Sequence, residues 1–246
     1  MPPPATPGRP SAGFPVTHVS VLRRARSDDP AVRARACDTL AAVYWGPVYA
    51  YVRLTHRAAP EDAEDLAQGF FAEALRRDLF ARYEPERARF RTYLRTCVDA
   101  FVANERKAER RLKRGGGVTP LPIDVAGLEG RLASESDPDV IFHQEWVRGV
   151  LTLALGRLRE RCERSGRRSH LALFERYDVA GAADRSPPTY AELASELGMT
   201  TAQVTNRLAA VRREFRAAVL DTLRDLCASD DEFRAEARAL LGVEVQ

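Results

Sequence analysis

The stretch that decides the fold runs from Thr189 to Arg216 and reads TYAELASELGMTTAQVTNRLAAVRREFR. Its opening letters, TYAE, have the spacing of a capping box, in which a threonine and a glutamate three residues later close the start of a helix. Apolar residues follow at helical spacing as far as Gly198, which can end that helix in the left-handed backbone conformation. Thr200 or Thr201 can then cap a second helix. The stretch therefore predicts a helix–turn–helix.

The second predicted helix separates an apolar face from an arginine-rich polar face. Val204, Leu208 and Val211 recur at helical spacing and are expected to face inward. A plain αα-hairpin buried in an all-α enzyme is the alternative, but a buried hairpin has no need of exposed arginines. A helix with such a polar face can enter the major groove, so the stretch is predicted to bind DNA. The residues predicted to contact DNA here are Thr201, Gln203, Asn206, Arg207, Arg212 and Arg213.

Composition narrows the class of protein. The 246 residues are 45% hydrophobic and 30% charged, and the net charge of +3 is only mildly basic, so clusters of charge say more than the total. The four cysteines are widely separated and lack the spacing of a zinc site, so we expect reduced thiols and no metal. No apolar run approaches the ~20 residues of a membrane span, and no signal-peptide pattern is present. We therefore expect a cytoplasmic protein without a membrane contact or a cofactor.

Outward from the helix–turn–helix, apolar residues keep helical spacing and no segment has the alternation of a strand. The predicted fold is all-α, with two helical modules joined by a flexible linker. Gly46-Pro47 is expected to break a helix that starts at Pro30, and His56 is expected to lie on the surface. The predicted bounds are a disordered proline-rich tail at 1–15, an N-terminal helical module at 16–114, a flexible acidic linker at 115–139, a C-terminal helix–turn–helix module at 140–228 and a short closing helix at 229–246.

An acidic helix start at Pro60 is the first candidate site of the N-terminal module. Asp62, Asp65 and Gln68 lie off the wide apolar stripe of this predicted helix. The carboxylates from Glu61 to Asp65 could also hold Mg²⁺ in a nuclease. Acids are expected at a helix start in any case, and no later acid–histidine motif completes a catalytic set. A solvated or partner-binding face is the simpler interpretation.

A basic run is the second candidate site of this module. The predicted helix from Arg87 to Arg114 is apolar and aromatic in its first half, and its second half, NERKAERRLKR, carries six cations against two acids. A solvated helix end is the alternative. The continuity with an aromatic-bearing core and the second basic helix downstream favour contact with nucleic-acid phosphates. The cations concerned are Arg106, Lys107, Arg110, Arg111, Lys113 and Arg114.

Taken together and in this order, the motifs resemble those of a known family. DAEDLAQGFF starts at Asp62, FRTYL starts at Phe90, the basic run ends in KRGGG, and the helix–turn–helix follows. The chain resembles the sigma factors of bacterial RNA polymerase, and most closely those of the extracytoplasmic-function type. The resemblance covers about residues 20–220. The closing helix goes beyond the minimal pattern of the family.

The resemblance implies roles for individual residues. Asp62, Asp65, Gln68 and Phe71 would contact the clamp helices of the polymerase. Tyr93, which stands where many relatives have tryptophan, and the basic run would contact the non-template strand of the minus-ten element, because aromatic rings stack on bases flipped out of the duplex. The helix–turn–helix would read the minus-thirty-five element. Ala100 stands where relatives commonly carry asparagine, which is a departure from the family pattern.

The implied function is that of a sigma factor, a protein without catalytic residues that binds core RNA polymerase and promoter DNA and helps to melt the promoter. Whether an anti-sigma factor is a further partner is left open. The alternative is a dimeric helix–turn–helix transcriptional regulator that binds a palindrome. The residues argue against this alternative because no heptad dimerisation helix is present and a simple repressor has no need of a second basic helix.

Overall fold

A computed structural model describes residues 20–109, 125–132, 137–181 and 188–242, and within these ranges it contains helices and no strand. The prediction of an all-α chain is confirmed for this part. Short 3₁₀ and π turns cover Leu79–Arg82 and Glu175–Ala180. The helices are α1 (Val21–Arg24), α2 (Pro30–Thr55), α3 (Pro60–Arg76), α4 (Phe90–Glu109), α5 (Val125–Leu132), α6 (Pro138–Arg164), α7 (Arg168–Phe174), α8 (Tyr190–Glu196), α9 (Thr201–Leu226) and α10 (Asp230–Leu241).

Several predictions fall on residues outside the described ranges. These are the tail at 1–15, the glycine run that ends the basic segment, and four of the predicted phosphate-contacting cations, Arg110, Arg111, Lys113 and Arg114. None of the helices in the described ranges combines the length and the hydropathy that crossing a membrane requires.

Asp-Pro pairs set the starts of the two long helices that form the centre of the fold. Asp29 caps α2 and its carboxylate accepts a hydrogen bond from the Ala31 N–H at 2.8 Å. Asp137 caps α6 in the same way, with its carboxylate 2.8 Å from the Asp139 nitrogen. In both helices proline follows the cap, at a position where its missing N–H costs nothing. Both helices therefore begin at the Asp-Pro pairs where the sequence predicts a helix start.

The expected break at Gly46-Pro47 is wrong. Helix α2 continues through Pro47 to Thr55, and the proline itself is buried. An interior proline costs roughly 3 kcal/mol. Trp45 and Tyr49 on either side are at most 1% exposed, and burying large apolar side chains contributes about 1.5–3 kcal/mol each. Tertiary packing therefore outweighs the local preference of proline.

One hydrophobic core spans both predicted modules. Helix α2 lies at its centre and packs against α6 and also against α1, α3, α4 and α5. Phe70 of the N-terminal half and Trp146 and Leu223 of the C-terminal half belong to the same buried cluster. The described residues therefore do not show the predicted two-module arrangement, because the apolar faces of α6 and of the C-terminal half of α9 are covered by the N-terminal half.

Helices α2 and α6 approach each other closely at Gly149. A Cβ atom built on Gly149 of α6 would lie 2.7 Å from the carbonyl oxygen of Val43 on α2. Real Cβ atoms essentially never come that close to another heavy atom. Glycine at position 149 therefore lets the two helix backbones touch.

Part of the predicted flexible linker is a docked helix. Residues 125–132 form α5, and Leu128 is 1% exposed. Glu129 accepts two hydrogen bonds from the Arg53 guanidinium, at 2.7 and 2.8 Å, and one from the Tyr49 hydroxyl at 2.6 Å. The hydrogen bonds from Arg53 lower the pKa of Glu129 below its ordinary value. The prediction of flexibility does not hold for these residues, since helical leucine spacing and a carboxylate anchor hold α5 on α2.

Ion pairs with buried carboxylates also join the two halves. Asp225 of α9, which is 5% exposed, accepts from Arg24 of α1 at 2.8 Å and from Arg157 of α6 at 2.6 Å. Glu236 of α10, also 5% exposed, pairs with Arg91 of α4. The Arg91 guanidinium in turn lies over the ring of Trp146, 4.3 Å from its centroid. The predicted closing helix is therefore part of the core rather than an appendage.

Candidate nucleic-acid interface

The stretch from Thr189 to Arg216 forms two capped helices. The Thr189 hydroxyl accepts from the Glu192 N–H at 3.2 Å, and the Glu192 carboxylate accepts from the Thr189 N–H at 2.7 Å. Thr200 and Gln203 repeat this capping box at the start of α9, with distances of 3.2 and 2.9 Å. Gly198 between them has a φ of +61°, as a helix-ending glycine should. Thr200, and not Thr201, is the N-cap of the second helix.

Helices α7, α8 and α9 share a small core of their own. It contains Leu193 and Ala194 of α8, Val204 and Leu208 of α9, and Leu173 of α7. All five side chains are at most 6% exposed. This packing fixes which face of α9 points inward, and it turns the opposite face of the N-terminal half of α9 to solvent.

Three of the six predicted contact residues on α9 are exposed and make no side-chain hydrogen bond or ion pair among the described residues: Thr201, Asn206 and Arg213. Gln203 is exposed, but its side-chain oxygen is committed to the capping box. Arg207 is half-buried and close enough to His170 to help burial lower the pKa of that imidazole. The exposed face is therefore narrower than the sequence predicts.

Arg212 is held within the protein. Its guanidinium donates to both carboxylate oxygens of Asp178, at 2.8 to 3.1 Å, and to the Tyr190 hydroxyl at 3.3 Å. It also lies over the ring of Tyr177, 5.4 Å from the centroid. The hydrogen bonds to Asp178 raise the pKa of Arg212. In this arrangement the Arg212 side chain is 41% exposed, but its guanidinium is engaged by Asp178 and anchors α9 to the turn before α8.

The residues of α4 that are predicted to contact a DNA strand differ in how exposed they are. The Tyr93 ring is half-buried, and its hydroxyl donates to the Leu79 carbonyl at 2.7 Å. Burial raises the pKa of Tyr93 above its ordinary value. Arg106 and Lys107 are both exposed, and Arg106 donates to the backbone carbonyl of His56. Tyr93 is thus only partly accessible, whereas Lys107 is exposed and forms no ion pair within the described part of the chain.

The prediction for His56 is wrong. Its side chain is only 16% exposed, and its Nε2 lies 2.8 Å from the Asp99 carboxylate. The Tyr51 hydroxyl donates to the other carboxylate oxygen at 3.2 Å. Asp99 lies 43 positions away on α4, so no local pattern could have identified it as the partner.

The four predicted polymerase-contacting residues on α3 divide into two pairs. Asp62 and Asp65 are exposed, and no ion pair within the described residues neutralises them. Gln68 is 8% exposed and Phe71 is 4% exposed, and Phe71 packs within the main core. Gln68 and Phe71 therefore do not present their side chains to a partner here, because the wide apolar stripe of α3 turns both inward.

The carboxylates near the start of α3 form no metal centre in this part of the chain. Among the described residues, no three His, Cys, Asp or Glu side chains come together in a way that could hold a metal ion.

Comparisons of the chain with family models, with curated proteins and with solved structures found no match.

Proposed function

We propose that this protein is a sigma factor of the extracytoplasmic-function type, which binds core RNA polymerase and two promoter elements. The observation that carries the proposal is the α8–α9 pair. Both helices start with a complete capping box, they pack on a core of their own, and α9 presents Thr201, Asn206 and Arg213 to solvent. Such a helix suits the major groove, where polar side chains read base edges.

The end of α4 supports a second nucleic-acid contact. Lys107 is exposed on the last turns of this helix, and four further cations follow it in the sequence. Cations of this kind neutralise phosphates, which gives affinity and salt dependence without sequence information. In the proposed function this segment holds the displaced strand of the minus-ten element.

The acidic face of α3 supports docking on the polymerase. Asp62 and Asp65 are exposed one helical turn apart on α3. Exposed carboxylates of this kind suit a basic partner surface. We therefore assign the polymerase contact to the two aspartates, and not to Gln68 and Phe71, which are buried.

A pull-down of bacterial core RNA polymerase tests the docking. The wild-type chain should retain the polymerase at micromolar concentration and low salt, and an Asp62→Ala, Asp65→Ala double variant should retain less. Glu160→Ala, which removes an exposed carboxylate on α6, is the matched control and should behave as wild type. Absence of wild-type binding would refute the proposal.

Promoter binding by the complex with polymerase tests the two DNA contacts. Arg213→Ala and Arg207→Ala should weaken binding in a way that depends on the upstream element, by about 1–3 kcal/mol for a base-reading arginine. Reversing the charges of Arg110, Arg111, Lys113 and Arg114 should weaken binding to all sequences and flatten its salt dependence. An unchanged salt slope would show that the basic run does not touch phosphates.

A dimeric helix–turn–helix regulator is the second candidate, and one observation favours it. Both halves share one core, so within the described residues the α8–α9 pair belongs to one body and not to a separate module. A regulator would bind a palindromic duplex as a dimer without polymerase, whereas a sigma factor does little until polymerase is present. Duplex binding by the protein alone, measured with its stoichiometry, separates the two.

A further inference from the structure

An apolar groove of about 660 Å³ lies between α6, α9, the end of α10 and the turn Glu175–Ala180. Its lining includes neither the three exposed contact residues of α9 (Thr201, Asn206 and Arg213) nor the two exposed aspartates of α3. Its size is within the range of ~300–1,000 Å³ that is typical of sites for small molecules. Its apolar lining consists mainly of Val147, Leu151, Leu155, Phe215, Val219 and Leu241.

Two arginines on the wall of this groove are poorly neutralised. Arg148 approaches the Glu145 carboxylate only to 3.6 Å, and that carboxylate already accepts two hydrogen bonds from Arg131 at 2.6 and 2.9 Å. Arg216 donates one hydrogen bond of 3.3 Å to the Leu241 carbonyl and has no ion pair within the described ranges. Both side chains are exposed. Their guanidinium groups therefore remain available to an anion.

A third arginine of the lining, Arg212, is neutralised by Asp178. Positive charge is thus left over where Arg148 and Arg216 lie, while the remaining surface is largely hydrocarbon. A ligand that matches this pattern has an apolar chain and a single anionic headgroup. Guanidinium groups recognise carboxylates through strong, charge-assisted hydrogen bonds.

We propose that the groove binds a linear medium-chain carboxylate, with its chain along the apolar lining and its headgroup at Arg148 and Arg216. The ligand would contact α6 through Val147 and Leu151 and α9 through Phe215 and Val219. It would therefore strengthen the packing of α6 against α9, next to the two capped helices. This binding function is independent of polymerase and of DNA.

Titration of the purified full chain with decanoate, below its micelle concentration, tests the proposal. Calorimetry should give one saturable site, and the melting temperature should rise with ligand concentration. Decanol has the same chain and no charge, and we expect it to bind about tenfold or more weakly because it lacks the charge-assisted hydrogen bonds. Equal affinity for decanol and decanoate would overturn the headgroup assignment, and no saturable binding would overturn the site.

Two variants and a control locate the site. Arg148→Gln, Arg216→Gln together should remove the preference for decanoate over decanol. Thr152→Trp, at an exposed position of the lining, should fill the groove and abolish binding of both probes. Arg164→Gln, on the exposed end of α6 and outside the lining, should bind as wild type. Binding that survives both the double variant and Thr152→Trp would place the ligand elsewhere and refute the proposal.

Discussion

Replacing Gly149 by alanine tests the packing of the two halves at a point where the backbones of α2 and α6 come close together. The added Cβ would lie 2.7 Å from the Val43 carbonyl oxygen, and 3.1 and 3.3 Å from the Val43 Cα and carbonyl carbon. All three neighbours are backbone atoms of α2, so no side-chain rotation can relieve the contact. Helix α6 would have to move away from α2, and the side chains packed on either side would move with it.

The expected magnitude follows from two opposing effects. Overpacking a well-packed core costs about 1–3 kcal/mol. Exchanging glycine for alanine inside a helix contributes about 0.5–1 kcal/mol of stability. Gly156 lies on the same helix, and a Cβ added there would have no neighbouring atom within 4 Å, so Gly156→Ala should show only the stabilising effect. The two variants should therefore differ by the overpacking cost alone, about 1–3 kcal/mol.

Urea unfolding, followed by circular dichroism and by fluorescence of the buried Trp45 and Trp146, measures this difference. In a chain of this size, each kcal/mol shifts the melting temperature by about 2–4 °C. If Gly149→Ala proved as stable as Gly156→Ala, α2 and α6 would not approach each other as described. Coincident transitions by the two probes would also show that both halves unfold together.

Three further predictions concern single side chains. Glu236→Gln should lower the free energy of unfolding in urea by about 3–5 kcal/mol, because Arg91 would stay largely buried without its carboxylate. Asp231→Asn, in an exposed pair of the same helix, should have little effect. Burial lowers the pKa of His170. As the pH falls below about 6.5, the imidazole therefore takes up a proton in the unfolded chain before it does so in the folded chain, and stability should fall between pH 7 and 5. The fall should be less steep in His170→Asn, and equal slopes for the two proteins would contradict this. Thr200→Ala should lower the free energy of unfolding by about 0.5–2 kcal/mol. In the proposed function the same variant should also bind promoter DNA more weakly, and unchanged binding would show that the cap does not position α9.

The sequence predicts those parts of the fold that depend on neighbouring residues. The capping box of α8, the glycine that follows it, a threonine cap at the start of α9 and the Asp-Pro starts of α2 and α6 all act within three or four positions, and all are present. Pro47 shows the limit of such local signals. Its preference to end a helix is local, but the packing that overrides it comes from distant helices.

The parts of the candidate site that the sequence does not predict are pairings over long separations. Asp178 holds Arg212 across 34 positions, and Asp99 holds His56 across 43. Each of these residues is unremarkable among its neighbours in sequence. Phe71 is different, because its helical spacing places it in the apolar stripe while the family resemblance places it at a partner surface. In the structure Phe71 is buried, as its helical spacing predicts.

The rigid link between the α8–α9 pair and the core constrains how the proposed function can work. Helix α9 is continuous over 26 residues, and its C-terminal half buries Val219 and Leu223 in the main core. Separating the two halves would therefore break the α2–α6 contact at Gly149 and the ion pair between Arg24 and Asp225 before it bent α9. If polymerase binding requires that separation, Gly149→Ala should bind polymerase more tightly than wild type, because less packing is lost. If the protein binds polymerase with its halves packed, the same variant should bind equally well or more weakly, and the α8–α9 pair and the basic end of α4 must reach DNA from one rigid body.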